Sequence, residues 1–296
     1  MKNKKKGLIK YILENKEYLE NNNIIFSEED IKFLSFGWKN IGNICIIKIP
    51  YNLLNKKITI AKTLILLNSS ISIILENKGI YGALRIPKYE IIYPLKYINK
   101  KKLEIIHKEN NCYFKFDVLN IMFSKGNLYE KIRMTEIVKN GIVVDMFAGI
   151  GYFSIPIAVH SSPERIYSIE LNKLSFNYLC ENIKLNKVEN IIIPIFGDCR
   201  EKTPFNIADY VIMGYIKNTL SYLKYGILSL KKTGGILFYH DISFIGDYPN
   251  KQIDILKKEA EIYNKNIIIK NYRIIKKYSP KMVHIVIDIY LKDKYI

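Results

Sequence analysis

The chain has 296 residues, of which 49% are hydrophobic, so it is long enough for one large core plus a smaller domain and too apolar to be disordered. Its 46 Lys and Arg against 28 Asp and Glu give a formal net charge of +18, which favours a polyanionic partner over a neutral or cationic one. No apolar run approaches the roughly 18 residues that a membrane span requires, and no secretory signal is evident, so we expect a cytoplasmic protein that does not bind membranes.

The cysteines do not indicate a metal site or a disulfide framework. The sequence has four of them, widely spaced and without a Cys-x-x-Cys pair, at Cys45, Cys112, Cys180 and Cys199. The four histidines are equally scattered. We therefore expect no bound metal and reduced, mostly buried thiols.

The first 118 residues predict a basic N-terminal arm or helix over 1–29 and a small α+β domain over 30–118. Helical spacing covers 8–22, which could be docked or flexible, and an apolar helix is expected at 58–67. Short apolar runs separated by Gly, Pro and Asn predict strands at 43–49, 71–75, 89–93, 103–108 and 112–118.

The basic excess is concentrated in this part of the chain. Residues 1–142 carry 25 Lys and Arg against 13 Asp and Glu. One interpretation is a compositional bias, because a chain so rich in Ile, Lys, Asn and Tyr is typical of an AT-rich genome. The other is a surface whose lysines contact phosphates and position a nucleic acid without reading its sequence.

A polar turn at 122–127 precedes a helical pattern that ends just before the central strand. Ser124 lies in this turn. A serine at a helix start can cap the helix or bind a ligand, and the sequence favours neither.

The third predicted domain, 119–296, is organised around the stretch 143–154, an apolar run that ends in Asp145 and continues into Gly149 and Gly151. This pattern predicts a strand, a tight turn and a helix, with glycines where a Cβ would collide with a ligand. An ordinary strand-to-helix turn has the same pattern. Two further acids favour a nucleotide site: Glu170 ends the next apolar run roughly 20 residues on, and Asp198 follows the third.

The remainder alternates strand-like and helical runs. After the central strand we expect strands at 166–170, 191–196, 209–213, 235–241, 267–275 and 283–291. The last two have no helix between them and should form an antiparallel pair at the sheet edge. The first loop has neither a third glycine nor Gly-Lys-Ser/Thr, so a nucleoside ligand without phosphates suits it best. It resembles the S-adenosylmethionine (AdoMet) site of class I methyltransferase-like enzymes, which implies an α/β, doubly wound seven-stranded sheet.

Several short motifs together resemble one family, the tRNA-wybutosine aminocarboxypropyltransferases, over roughly residues 30–296. They are the glycine loop with Phe123-Ser124-Lys125-Gly126-Asn127, Glu130-Lys131-x-Arg133-Met134, Glu181-Asn182-x-x-x-Asn186, Gly197-Asp198-Cys199-Arg200 and Met213-Gly214-Tyr215. The resemblance implies transfer of the 3-amino-3-carboxypropyl arm of AdoMet to carbon 7 of 4-demethylwyosine in the anticodon loop of tRNA(Phe). It also implies the cofactor contacts Ser124, Lys131, Glu170, Asp198 and Cys199, above a loop of Asp145, Phe147, Gly149 and Gly151.

Two alternatives remain open at this point. The related tRNA guanine-N1 methyltransferases act on the same nucleotide but carry Asn-Leu-Pro where this chain has Met213-Gly214-Tyr215. A non-catalytic RNA-binding protein on the same fold is disfavoured by the three acids at strand ends. We identify no general base in the sequence, and we expect a monomer.

Overall fold

The computed structural model describes residues 2–34, 36–82, 86–123, 125–216 and 218–294. Ser124, a predicted cofactor contact, lies outside them. The chain forms two compact units, Met1–His107 with Asp117–Phe123, and Lys108–Phe116 with Ser124–Ile296. The domain limits expected from the sequence stay a prediction.

The first unit combines short helices with a small sheet. Its helices are α1 (Lys2–Glu14), α2 (Lys16–Asn21), α3 (Glu28–Phe33) and α4 (Lys57–Leu67), with a 3-10 helix at Tyr51–Lys56. Its four strands, in sheet order, are β1 (Trp38–Ile41), β2 (Ile44–Ile47), β3 (Ile73–Tyr81) and β4 (Ile86–Tyr93). Of these strands, β2 and β3 pair in parallel and the other neighbours pair antiparallel.

The N-terminal helices are part of this unit's core. Leu8, Ile12 and Leu19 are buried in one apolar cluster with Ile60 and Leu64 of α4. Of the two possibilities left open for this segment, the docked one is therefore correct. The single helix expected over 8–22 is wrong in one respect, because it divides into α1 and α2.

A hairpin of β5 (Glu104–Glu109) and β6 (Cys112–Asp117) follows. Its turn residues Asn110 and Asn111 both have positive φ, at 48° and 56°, a left-handed conformation that asparagine adopts more readily than most residues. The tip of the hairpin, Lys108–Phe116, belongs to the second unit.

The second unit is a seven-stranded sheet with flanking helices. Its helices are α5 (Leu128–Ile137), α6 (Ser154–His160), α7 (Lys173–Leu185), α8 (Cys199–Lys202), α9 (Leu223–Ser229) and α10 (Asn250–Ile262). Its strands are β7 (Ile142–Asp145), β8 (Arg165–Glu170), β9 (Ile192–Phe196), β10 (Tyr210–Met213), β11 (Gly235–Phe244), β12 (Lys265–Lys277) and β13 (Met282–Asp293).

The strand order is β12-β13-β11-β10-β7-β8-β9, and β13 alone among these seven strands runs against the others. The predicted doubly wound sheet and its terminal antiparallel pair are confirmed. The chain proceeds from β7 outward through β8 to β9 and then returns to β10 on the other side of β7. The carboxyl ends of β7 and β10 therefore flank the switch point, where open α/β sheets bind ligands.

A buried network of four charges holds α5 against the sheet. The Arg133 guanidinium donates to both Asp288 oxygens of β13, at 2.5 and 2.9 Å, and to both Glu130 oxygens, at 3.1 and 2.6 Å. Arg273 of β12 lies 2.6 Å from Glu130. Two cations and two anions compensate one another here, so loss of one leaves the charges of this network unbalanced.

We expect Asp288→Ala to lower the free energy of unfolding by about 3 kcal/mol, because Arg133 would keep its charge in a buried site and lose one of its two bidentate acceptors. The matched control is Asp254→Ala on α10, whose side chain is exposed. Urea unfolding followed by circular dichroism measures both variants. Equal losses in the two would show that the network adds no stability.

Candidate cofactor site

The loop between β7 and α6 depends on glycine at two positions. Gly149 has φ +59° and Gly151 has φ +97°, backbone angles that residues other than glycine rarely adopt. A Cβ on Gly151 would lie 2.5 Å from Ile155 Cδ1, and one on Gly149 would collide with the Tyr152 ring. The backbone therefore passes closely over these side chains, and both glycines are required by contacts within the protein, whereas the sequence predicted a collision with a ligand.

Asp145 stabilises the start of this loop through hydrogen bonds. Its buried carboxylate accepts hydrogen bonds from Phe147 N at 3.3 Å and from Ser154 Oγ at 2.7 Å, and Ser168 Oγ lies 2.8 Å from Ser154 Oγ. Burial raises the pKa of Asp145 to about 6. The structure thus places Asp145 beneath the loop, where it orients backbone and the first turn of α6.

Glu170 closes the loop from the neighbouring strand. One carboxylate oxygen accepts a hydrogen bond from Gly149 N at 2.8 Å, and the other accepts one from Asn172 N at 2.7 Å. Burial raises the pKa of this carboxyl, while the backbone N–H groups favour its ionised form. Each ionised carboxylate oxygen can accept a further hydrogen bond, so Glu170 retains capacity for ligand hydroxyls.

Asp198, after β9, is held by Arg200. It caps α8 by accepting a hydrogen bond from Arg200 N at 2.9 Å, and the Arg200 guanidinium contacts both of its oxygens. The charged hydrogen bond with Arg200 lowers the pKa of Asp198. Burial raises the pKa of the adjacent Cys199 thiol to about 12, so that thiol stays protonated and is a poor nucleophile.

Lys131, on α5, does not present a free ammonium. Its Nζ forms an ion pair with Glu109 and lies 5.5 Å from the Phe114 ring centroid and 5.7 Å from that of Tyr152. Burial lowers its pKa, and the Glu109 carboxylate opposes that shift. A cofactor carboxylate that reached Lys131 would have to share it with Glu109.

An aromatic cluster lies beside the loop. Phe147 stacks on Tyr215 with ring centroids 5.1 Å apart, and both rings meet Tyr222 edge-on. Arg200 lies 5.8 Å from the Tyr222 centroid. The cluster therefore connects the β7 loop, the segment after β10 and the Asp198 end of β9.

The fold brings together most of the residues that the sequence singled out. Asp145, Glu170 and Asp198 end three adjacent strands, and Phe147 lies in the loop between them. The sequence did not predict the ion pair of Glu109 with Lys131 or the contacts of Arg200 with Asp198 and Tyr222. Arg200 could have been found from its position two residues after Asp198, but nothing local marks Glu109 or Tyr222.

Two features are absent from the part of the chain that the structure describes. No group of three or more His, Cys, Asp or Glu there could hold a metal ion. No helix among those residues is both long and apolar enough to cross a membrane.

Residues 105–268, more than half of the chain, match the model of the TRM5/TYW2 methyltransferase domain. The chain belongs to this family. Residues 16–93 also match the TYW2 N-terminal domain. The catalytic-domain model covers both TRM5 and TYW2 proteins. The match to the TYW2 N-terminal domain therefore favours the TYW2 branch.

One relative and two solved structures support this membership. A Methanocaldococcus jannaschii protein named tRNA(Phe) (4-demethylwyosine(37)-C(7)) aminocarboxypropyltransferase is 43% identical over 73% of this chain and 84% of its own length. The crystal structure of M. jannaschii TYW2 in complex with AdoMet has a TM-score of 0.69 at 36% identity, covering 87% of this chain and 100% of that one. P. horikoshii TYW2 in complex with MeSAdo has a TM-score of 0.82 at 30% identity, covering 95% and 100%.

We expect Glu170→Ala to weaken AdoMet binding by roughly 1–3 kcal/mol, because a partly desolvated charged acceptor for the ribose hydroxyls is removed. The matched control is Glu189→Ala, an exposed glutamate of the same unit. Calorimetry on variants with unchanged circular dichroism measures both. An unchanged dissociation constant for Glu170→Ala would place the ribose elsewhere.

Proposed function

We propose that this protein transfers the 3-amino-3-carboxypropyl group of AdoMet to carbon 7 of 4-demethylwyosine, beside the anticodon of tRNA(Phe). The observation that carries this proposal is the paired match, a TRM5/TYW2 catalytic domain and a TYW2 N-terminal domain on one chain. The name of the 43% identical relative supports the same reaction.

The site's chemistry fits AdoMet. The glycine loop, with φ of +59° and +97°, makes the tight turn beside which the methionine part lies. Glu170 accepts hydrogen bonds from the ribose hydroxyls with lone pairs that Gly149 and Asn172 leave free. Asp198, kept ionised by Arg200, accepts one from the adenine amino group, and Cys199 contributes through its backbone because its thiol is buried.

When bound, AdoMet supplies a sulfonium with three electrophilic carbons, and transfer of its amino-acid arm leaves methylthioadenosine. The protein selects among those carbons by position, because the group transferred is the one held against the nucleophile. The Phe147–Tyr215 pair provides a flat surface beside the loop on which a tricyclic base can stack. As the bond from carbon 7 to the arm forms, the bond from the arm to sulfur breaks with its electron pair kept by sulfur, and the proton of carbon 7 leaves to solvent. Positioning is the main contribution of these residues, and none of them is assigned as a general base.

The methyltransferase alternative is disfavoured by the segment after β10. The related guanine-N1 enzymes carry an asparagine there, whose amide can hold a guanine edge. Here Met213 is buried, and a Cβ on Gly214 would lie 2.8 Å from the Phe153 ring. An apolar side chain and a close ring contact occupy the place of a polar triplet.

The nucleoside product should be methylthioadenosine and not S-adenosylhomocysteine, because no amide aims a guanine nitrogen at the methyl group. The experiment incubates enzyme and AdoMet with tRNA(Phe) carrying 4-demethylwyosine and separates the nucleosides by chromatography. The control is tRNA(Phe) with unmodified guanosine, which should be inert. Accumulation of S-adenosylhomocysteine with that control would establish the methyltransferase alternative instead.

The first unit offers a basic surface for tRNA. Five exposed lysines cluster around β4 and the residues after it, and two lie over Tyr97 at 4.5 and 5.2 Å from its centroid; the five are Lys88, Lys96, Lys100, Lys101 and Lys102. Lysines beside aromatic rings are typical of surfaces that contact phosphates and bases.

Charge reversal of Lys96, Lys100 and Lys101 to Glu should weaken tRNA binding and lower the slope of log K against log salt by about 0.7–0.9 for each lysine that neutralises a phosphate in the wild type. AdoMet binding should not change. Reversal of the exposed Lys10, Lys16 and Lys32 gives the same net charge and serves as the control. If both triple variants show the same slope, this lysine cluster is exposed to solvent but does not contact the tRNA.

A further inference from the structure

The edge strand of the catalytic sheet, with the residues that flank it, is rich in cations and contains no acid, although Lys265 pairs with Asp293 and Arg273 with Glu130. Residues 262–287 contain six cations and no Asp or Glu; the cations are Lys265, Lys270, Arg273, Lys276, Lys277 and Lys281. Residues 143–296 hold 21 Lys and Arg against 15 Asp and Glu, so this one segment accounts for the whole excess. A composition bias would spread lysines evenly, whereas these are concentrated on β12 and the turn after it.

The direction of β12 brings this charge to the cofactor edge of the sheet. Both β11 and β12 pair antiparallel with β13, so β12 runs in the same direction as β11 and the central parallel strands. Its carboxyl end, with the turn at 278–281, therefore lies at the edge where the loops after β7, β8 and β10 emerge. That is the edge at which the proposed reaction takes place.

Two cations of this strand are fixed by contacts that tie it to the start of α5. Lys276 Nζ lies 2.8 Å from Asn127 Oδ1, and Arg273 pairs with Glu130 while its guanidinium lies 4.6 Å from the Tyr129 ring centroid. The Tyr129 side chain is nevertheless 72% exposed. These contacts fix the position of the carboxyl end of β12.

Two tyrosines and three lysines of β12 and the turn after it are exposed, although Lys270 lies over the Tyr290 ring and Tyr272 meets the Tyr248 ring edge-on. Tyr272 is 50% exposed and Tyr278 is 41% exposed, and the lysines at 270, 277 and 281 are exposed as well. We define the edge-strand patch as Lys270, Tyr272, Lys277, Tyr278 and Lys281. Lysines supply phosphate contacts, and tyrosine rings supply stacking surfaces for unpaired bases, so the combination suits a nucleic acid with single-stranded nucleotides.

We propose that the edge-strand patch binds the anticodon arm of the tRNA substrate beside the nucleotide that is modified. This inference rests on the proposed function, since it assigns a surface to that tRNA. Lysines on an edge strand can also serve to prevent edge-to-edge association of sheets. The exposed tyrosines favour RNA over that explanation, because exposed aromatic rings on an edge promote association.

The test compares Lys270→Gln/Lys277→Gln/Lys281→Gln with a control triple, Lys184→Gln/Lys257→Gln/Lys258→Gln, which removes equal charge from exposed positions on α7 and α10. Binding of full tRNA(Phe) and of its isolated anticodon stem-loop is measured by fluorescence anisotropy across a salt series. For both RNAs the patch triple should bind about tenfold more weakly, with a salt slope lower by about 2, while the control keeps the wild-type slope.

A second variant separates stacking from charge. Tyr272→Leu/Tyr278→Leu should weaken binding of the stem-loop about tenfold without changing the salt slope, because stacking is removed and no cation is. AdoMet affinity should stay at the wild-type value in all three variants.

The outcomes are distinguishable. If the wild type binds no tRNA and yields no methylthioadenosine, the proposed function fails. If the wild type binds and turns over tRNA while the patch triple matches the control triple, only the edge-strand patch is wrong. Self-association of the patch triple in sedimentation, with unchanged tRNA affinity, would assign these lysines to protection of the sheet edge.

Discussion

The hydrogen bond from Gly149 N to the Glu170 carboxylate joins the two strands on which the cofactor site depends. It holds the glycine loop against β8 at 2.8 Å, and the same carboxylate accepts a second backbone N–H from Asn172. A partly buried acid is costly unless it is hydrogen-bonded. The backbone N–H of the loop supplies such a hydrogen bond. The acid in turn holds the loop in a conformation that its two glycines can adopt.

Several charges close to this site are neutralised by their neighbours. Lys131 is paired with Glu109, Asp198 with Arg200, and Glu130 with two arginines. Such groups orient helices and loops, and their charge is not available for phosphates. A net charge of +18 is therefore a poor guide to RNA contacts by itself. Exposed cations outside these pairs, including those on β12 and around β4, can release counterions when RNA binds.

Much of the catalytic fold could be predicted from the sequence because its signals are local. An apolar run that ends in an acid, as at Asp145 and Glu170, marks both a strand and the site at its end. The small domain was less predictable. Strand β1 escaped notice because it is four residues long and contains Lys39 and Asn40, which have weak strand propensity, and it forms by pairing with β2.

The side-chain partners could not be predicted, for a different reason. Arg133 bonds to Asp288, 155 positions away, and Lys131 pairs with Glu109, 22 positions away. Sequence spacing carries no information on such contacts, because they form only when distant segments pack together in the folded chain. A lysine in a family motif thus suggested a cofactor contact, while the structure adds that its charge is already engaged.

The segment after β10 illustrates how packing can decide which carbon of a sulfonium reacts. A Cβ added to Gly214 would lie 2.8 Å from the Phe153 ring, so only glycine fits there, and Tyr215 stacks on Phe147 of the glycine loop. A ring fixed on the loop in this way orients a flat base by its faces, whereas an asparagine orients a base by its edge. When a base is held by its face, the tilt of the stacked rings determines the direction in which the nucleophilic ring carbon points. Under the proposed function, the choice between methyl and amino-acid arm would depend on the position of the stacked base relative to the loop. Phe147 belongs to that loop, which Asp145 and Glu170 hold through backbone hydrogen bonds.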